Sequence, residues 1–272
     1  MIKVCFAGAT GWTAQPILVA IDAADDLELT SGVSRSAAGR RLCEVTPSRS
    51  DGLIFASVEE ALDGAEVDVL VDYTSASAVK ENVWSAVRAG VHAVVGSSGL
   101  TARDYEELDH LARDHEVGVV AAGNFSVMAA ILLRAAALAA SQLDQWEILD
   151  YASAAKADVP SGTSQELAET LAQIHTPQSA VPLSDVVGPV EARGVDVAGT
   201  RIHSVRLPSF VVATEIVFGA DGERLIMRHD PGASPEPYVR GTLLAVRRVA
   251  EVRCLRRGLD SLLFGPRSAT HG

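Results

Sequence analysis

The stretch IKVCFAGATGWTA, residues 2–14, limits what this chain can fold into more than any other segment. An apolar, β-branched run leads into Gly8, Gly11 and Ala14 and then into a helical pattern, the G-x-x-G-x-x-A form of the dinucleotide fingerprint. The glycines permit a tight turn and close backbone approach, and a pyrophosphate rests on the helix N-terminus. A chance glycine cluster could share the spacing, but here the motif opens an ordered series. IKVCFA, LELTSGV, VDVLVDY, HAVVGS and VGVVAA alternate with amphipathic stretches such as SASAVKENVWSAVRAG and TARDYEELDHLARDH. That rhythm predicts an α/β fold with a parallel doubly wound sheet over residues 1–123.

From Asn124 the pattern changes. An Ala-rich helix is followed by a strand, WEILDYA, a helix near Ser164–Ile174 and a linker rich in Pro, Ser and Val. TRIHSVRLP, FVVATEIVFG and ERLIMRHD then read as strands, with Gly219–Gly222 as the clearest hairpin signal. Residues 124–235 are therefore expected to form an α+β substrate domain with a mostly antiparallel sheet. The unbroken Val, Ile and Phe content of SFVVATEIVFG predicts a strand buried on both faces. The helix EPYVRGTLLAVRRVAEV is expected to close the chain, with 236–272 returning to the first domain.

A formal net charge of -12 excludes a broad nucleic-acid or anionic-membrane surface, because such partners are held by clustered Lys and Arg. Cys5, Cys43 and Cys254 lie far apart without metal-ligand spacing, so no metal site is expected and a reducing cytoplasm fits. The amino terminus runs straight into strand pattern, and the most apolar stretch, VMAAILLRAAALAA, is interrupted by Arg134, so neither a signal peptide nor a membrane segment is expected.

After the second strand, Ser34 and Arg35 stand where an NAD-preferring site would place an acid, with Arg40 and Arg41 nearby. This suits the 2′-phosphate of NADPH; solvated surface arginines are the alternative. VVGSSGL and AAGNFSV end later strands where ligands gather in doubly wound sheets, although small residues also make plain turns. Farther on, KADVPSGTSQE sets Lys156 and Ser161-Gly162-Thr163 before a helix, an arrangement able to grip an anion or simply to cap the helix.

These pieces, with GATGWTA, VDYTSASA, GVDVAGTRIHSVRLPSFVVATEIVFG and GERLIMRHD, resemble the dihydrodipicolinate reductase family over nearly the whole chain, and the K-x-D-x-P-S-G-T string is specific to it. The resemblance implies a Rossmann domain, an NAD(P)H cofactor, a cytoplasmic role in diaminopimelate and lysine biosynthesis, and a homotetramer formed by the second-domain sheet. It places the cofactor against Gly8, Thr10, Gly11, Trp12, Thr13, Ser34, Arg35, Tyr73, Thr74, Gly96, Ser97, Ser98, Ala122, Asn124 and Phe125. A small carboxylated substrate is expected at Ser153, Lys156, Ser161, Gly162 and Thr163.

One departure is central. The family pattern His-His-x-x-Lys-x-Asp-x-Pro-Ser-Gly-Thr is here Ala152-Ser153-Ala154-Ala155-Lys156 and onward, so the imidazole that donates the proton after hydride delivery is missing. Lys156, Tyr151 or water would have to supply it, with strand alternation pointing Tyr151 away from Ala152. The retained clamp favours an NADPH-preferring reductase, with NADH possible, acting on a C=N or conjugated C=C bond of a related carboxylated substrate, such as a cyclic imine. A genuine 4-hydroxy-tetrahydrodipicolinate reductase and a non-catalytic nucleotide-binding paralogue are the alternatives.

Overall fold

A computed structural model describes residues 1–265. They divide into two compact units, one of Met1–Val127 with Pro235–Gly265 and one comprising Met128–Ser234. The divisions fall at Val127 and Pro235, a few residues from the boundaries expected at 123 and 235, and residues 266–272 of the returning segment lie outside the described residues.

The first unit runs β1 (Ile2–Ala7), α1 (Ala14–Asp22), β2 (Leu27–Val33), α2 (Leu42–Val45), β3 (Leu53–Phe55), α3 (Val58–Gly64), β4 (Val69–Asp72), α4 (Val79–Arg88), β5 (His92–Val95), α5 (Ala102–Asp114) and β6 (Val119–Ala121). The chain then builds the second unit from α6 (Val127–Ala140), β7 (Trp146–Ala152), α7 (Gly162–Ala172), β8 (Val195–Val197), β9 (Thr200–Arg206), β10 (Val212–Ala220) and β11 (Glu223–His229). It returns to the first with α8 (Pro237–Arg248), β12 (Leu255–Arg257) and α9 (Leu259–Phe264).

The first sheet has the order β12-β6-β5-β4-β1-β2-β3, with its neighbouring strands parallel. Its central strands are apolar without alternation because both faces are covered. Cys5, Ala7, Leu70, Ala93 and Val119 pack with α3, α4 and α5. Val4, Phe6, Val71 and Val94, on the alternate face, are fully buried as well. Strand order reverses at β1 and β4, so their carboxyl ends flank the crevice where such sheets take ligands.

α8 is not the last described element, contrary to what the sequence suggested. α8 stops at Arg248, and β12 adds an edge strand beside β6. Three residues containing two arginines carry no strand period, and the Arg257 guanidinium is held over the Tyr105 ring at 4.2 Å. β3 is equally short and equally silent in sequence.

The second sheet has the order β11-β10-β7-β9-β8, antiparallel except between β7 and β9. Its inner face buries Trp146, Ile148, Ile202, Ile216 and Phe218 against Leu133 and Ala136 of α6 and Leu167 and Leu171 of α7. β10 is not buried on both faces as its composition suggested: Ile216 and Phe218 are buried while Glu215 and Val217 are half-buried, so the helices of this unit cover one face. Among the described residues no helix is long and apolar enough to cross a membrane.

Candidate active site

At the end of β1 the chain turns through Gly8 at φ +87°, and a Cβ there would lie 2.3 Å from the Tyr73 carbonyl oxygen. Only glycine fits both constraints. The Gly8 N–H donates to Val33 O (2.9 Å) and Gly11 N–H to Gly8 O (2.8 Å), closing the turn before α1. Thr13, at the helix start, makes no side-chain cap, so the first-turn amides are not satisfied by it. Thr10 Oγ1 lies 2.8 Å from Ser34 Oγ, joining the fingerprint loop to the end of β2, while Trp12 is exposed. Arg35 is exposed just beyond. Arg40 and Arg41 meet Glu44 and Asp51, whereas Arg35 has no carboxylate partner among the described residues. This backbone cradle fits the phosphates of a dinucleotide.

The next loops are tied by a residue the sequence reading did not single out. Asp72 is wholly buried at the end of β4. Its Oδ1 accepts from Thr74 N (3.1 Å), Thr74 Oγ1 (2.8 Å) and Ser97 Oγ (2.5 Å), and its Oδ2 from Asn82 Nδ2 (2.8 Å). The carboxylate thus fixes Thr74 and Ser97 at neighbouring strand ends, with Ser98 exposed beside them. Tyr73 forms the wall behind: its ring stacks on Phe6, meets Phe125 edge-on, and would be struck by any Cβ at Gly96. Its hydroxyl is bonded to Thr242 Oγ1 (2.7 Å) and burial raises its pKa, so Tyr73 supports the pocket without offering a polar contact. Ala122 and Phe125 are buried in the same backing layer, and Asn124 Oδ1 accepts from Ser126 N (2.8 Å).

In the second unit, loop 153–161 carries the predicted substrate residues between β7 and α7. Lys156 Nζ pairs with Asp158 Oδ1 at 2.7 Å. Ser161 is the N-cap of α7 but makes no side-chain cap. Its hydroxyl and amide turn inward to buried Asp150, at 2.5 and 2.9 Å, so the capping role expected of its side chain is not realised. A Cβ added at Gly162 would meet no atom within 4 Å, leaving this backbone approachable, and Thr163 follows half-buried in the first helical turn. Ser153 Oγ accepts from Ala155 N (3.3 Å) and stabilises the loop itself. Burial alone would raise the Asp150 carboxyl, but hydrogen bonds from Ser161 and Arg206 outweigh it and hold the group below the usual carboxylate range.

Ala152 is wholly buried on the inner face of β7, and Tyr151 alternates to the outer face. There its ring stacks on Phe210 (5.2 Å) under the Arg228 guanidinium (4.6 Å), and burial together with Glu215 raises its pKa. Tyr151 is therefore removed from the candidate acids.

The sequence profile of the dihydrodipicolinate reductase N-terminus matches residues 2–125, and that of the C-terminus matches residues 125–262. The chain belongs to the dihydrodipicolinate reductase family. It is 32% identical over 263 residues to a 4-hydroxy-tetrahydrodipicolinate reductase of Geobacillus kaustophilus, covering 96% of this chain and 99% of that one. It is 36% identical over 274 residues to one of Synechococcus elongatus, covering 96% and 98%. A dipicolinate-bound dihydrodipicolinate reductase from Paenisporosarcina sp. TG-14 is 27% identical with a TM-score of 0.76, covering 96% and 99%. An amine dehydrogenase from Mycobacterium smegmatis, 14% identical over 92% of each chain with a TM-score of 0.62, shares the fold alone.

As a dihydrodipicolinate reductase family member the chain is an oxidoreductase of an NAD(P)H-dependent family. The loop of this chain carries Lys156 and the Ser161-Gly162-Thr163 corner, with a methyl and a short hydroxymethyl ahead of it at Ala152 and Ser153.

Proposed function

We propose that the chain is an NADPH-preferring reductase acting on a C=N or conjugated C=C bond of a small cyclic substrate bearing a carboxylate. The observation that carries this reading is the intact clamp loop beside a buried Ala152. Lys156 and the Gly162–Thr163 backbone bind the carboxylate at the start of α7, where the helix dipole favours an anion. NADPH, when bound, supplies the hydride. The fit to its phosphates rests on the Gly8 turn, and the preference over NADH on Arg35, a guanidinium in place of an acid that would repel the 2′-phosphate. Lys156 provides the proton that completes the reduction at nitrogen, because its ammonium is the donor that the loop itself carries, 29% exposed and open to recharging from water.

Replacing two imidazoles by small side chains makes the reacting end less basic, which suits a less charged cyclic imine than the lysine-pathway intermediate. The family membership favours a second reading, the ordinary 4-hydroxy-tetrahydrodipicolinate reduction run more slowly, since general acid catalysis contributes about 10²–10⁴-fold and hydride positioning does not depend on it.

An NADPH-oxidation screen against the lysine-pathway substrate and a panel of cyclic imino acids separates them, using the parent, Lys156→Arg and Ala152→His/Ser153→His. The proposal expects turnover of a cyclic imino acid and, because arginine keeps the charge but does not release a proton, a fall in kcat with KM retained in Lys156→Arg. Turnover of the lysine-pathway substrate alone, accelerated by the restored histidines, establishes the second reading. Cofactor binding without turnover of any substrate marks a non-catalytic paralogue.

A further inference from the structure

We propose that Asp150 and Arg206 are positioning residues that set the substrate clamp from beneath, through loop 153–161. The inference rests on the reading of that loop as the clamp and adds what holds it in shape. Asp150 has no exposed surface, and its oxygens are fully engaged. Oδ1 accepts from Ser161 Oγ (2.5 Å) and Ser164 Oγ (3.2 Å). Oδ2 accepts from Ser161 N (2.9 Å), Ser204 Oγ (3.0 Å) and Arg206 Nη2 (2.8 Å). The same Nη2 donates to the Asp158 carbonyl (2.8 Å), and Nη1 donates to the Asp150 carbonyl (3.2 Å).

Two strand residues thereby pin three points of the clamp. Asp158 is held by its backbone, and its carboxylate in turn meets Lys156 Nζ. Ser161 is held by both amide and hydroxyl at the first step of α7, and Ser164 by its hydroxyl on the first turn. An N-cap serine ordinarily turns its oxygen onto the second or third amide of its own helix. Here Asp150 draws that oxygen away, so the helix start faces the ligand side without a side-chain cap, with Gly162 unobstructed.

Stability is a poor reason to bury such a pair. Desolvation of two charges offsets most of their attraction, and an apolar pair of similar volume is often as stable. The fork also acts through two nitrogens at once, Nη2 on the Asp150 carboxylate and the Asp158 carbonyl and Nη1 on the Asp150 carbonyl, an arrangement the single nitrogen of a lysine does not reproduce.

The test uses the full-length chain and dipicolinate, a planar dicarboxylate, as probe. Dipicolinate affinity is measured by calorimetry, NADPH affinity by fluorescence and stability by thermal melts, for the parent, Asp150→Asn, Arg206→Lys and Thr200→Val. The last strands the buried Trp146 indole N–H, bonded to Thr200 Oγ1 at 3.1 Å, and so disturbs the same unit away from the loop. Asp150→Asn and Arg206→Lys are expected to weaken dipicolinate by about 10-fold or more while NADPH affinity holds, and with a turned-over substrate to raise KM more than they lower kcat. Thr200→Val is expected to lower the melting temperature without weakening dipicolinate. If Asp150→Asn does not fold, Arg206→Lys decides alone. Unchanged dipicolinate affinity in Arg206→Lys, an equal loss in Thr200→Val, or a parent that does not bind dipicolinate overturns the proposal. A parent that binds dipicolinate but oxidises no NADPH sinks the reductase reading and leaves this one standing.

Discussion

At Gly8 the backbone runs at φ +87°, and a methyl group there would press on the Tyr73 carbonyl at 2.3 Å. Gly8→Ala therefore meets both left-handed strain, worth about 1–3 kcal/mol, and a backbone clash. We expect a lower melting temperature and loss of NADPH binding together, read by thermal melts and fluorescence titration; retained affinity would show that the turn is not the phosphate seat. Arg35 lies on the exposed side of the same site without a carboxylate partner among the described residues, so its loss should leave the fold untouched. A charge-assisted hydrogen bond contributes about 1.5–3 kcal/mol, so Arg35→Ala is expected to weaken NADPH by about 10- to 100-fold and NADH hardly at all. Equal affinities for the two cofactors in the parent would remove the basis of the preference. Both residues could be named from the sequence because the fingerprint and the position after the second strand are local signals. Asp72 and Asp150 could not: each looks like an ordinary polar residue at a strand end, and its importance comes from partners far along the chain, Ser97 and Asn82 for one and Ser161, Ser204 and Arg206 for the other.

Strands buried on both faces write themselves into composition, which is why β1, β4, β5 and β6 were legible in advance, while β2 showed through the alternation of Leu27, Glu28, Leu29 and Thr30. Short edge strands with charged side chains do not, and β12, which lies beyond the expected closing helix, was not anticipated for that reason. β5 also carries a titration. His92 Nδ1 accepts the Gly118 N–H at 2.8 Å, so the ring is neutral in the fold, and burial, reinforced by Arg253, lowers its pKa from 6.5. The unfolded chain thus takes up the proton first as pH falls. Stability from this group is complete above about pH 6.5 and is lost as pH drops through the lower folded value. Melts at pH 7.5 and 5.5 should show the parent falling further than His92→Gln, which accepts the same amide without titrating; equal falls would assign the acid sensitivity elsewhere. The Asp150 carboxyl works lower on the scale: its folded pKa is depressed, so its contribution is present above the ordinary carboxylate range and disappears only under stronger acid.

For the whole molecule, the outer face of the second sheet bears half-buried Leu149, Val205 and Val217 and exposed Ile226, flanked by the Glu215–Arg228 pair. We propose that copies of the chain assemble through this face into a homotetramer, the like charge pairs at its rim fixing the register. Light scattering is expected to give a mass near four times the 28.5 kDa chain, and Ile226→Glu to reduce it; a concentration-independent single-chain mass would refute the assembly. The first unit is interrupted in sequence: β6 ends at Ala121, while its neighbour β12 begins at Leu255. During synthesis the second unit is complete and free to fold while the edge of β6 still waits for a partner more than a hundred residues away. The nascent chain therefore carries an open, apolar sheet edge while everything between Ala121 and Leu255 is made, and a chain cut short after Ser234 would keep that edge as a template for association with its neighbours.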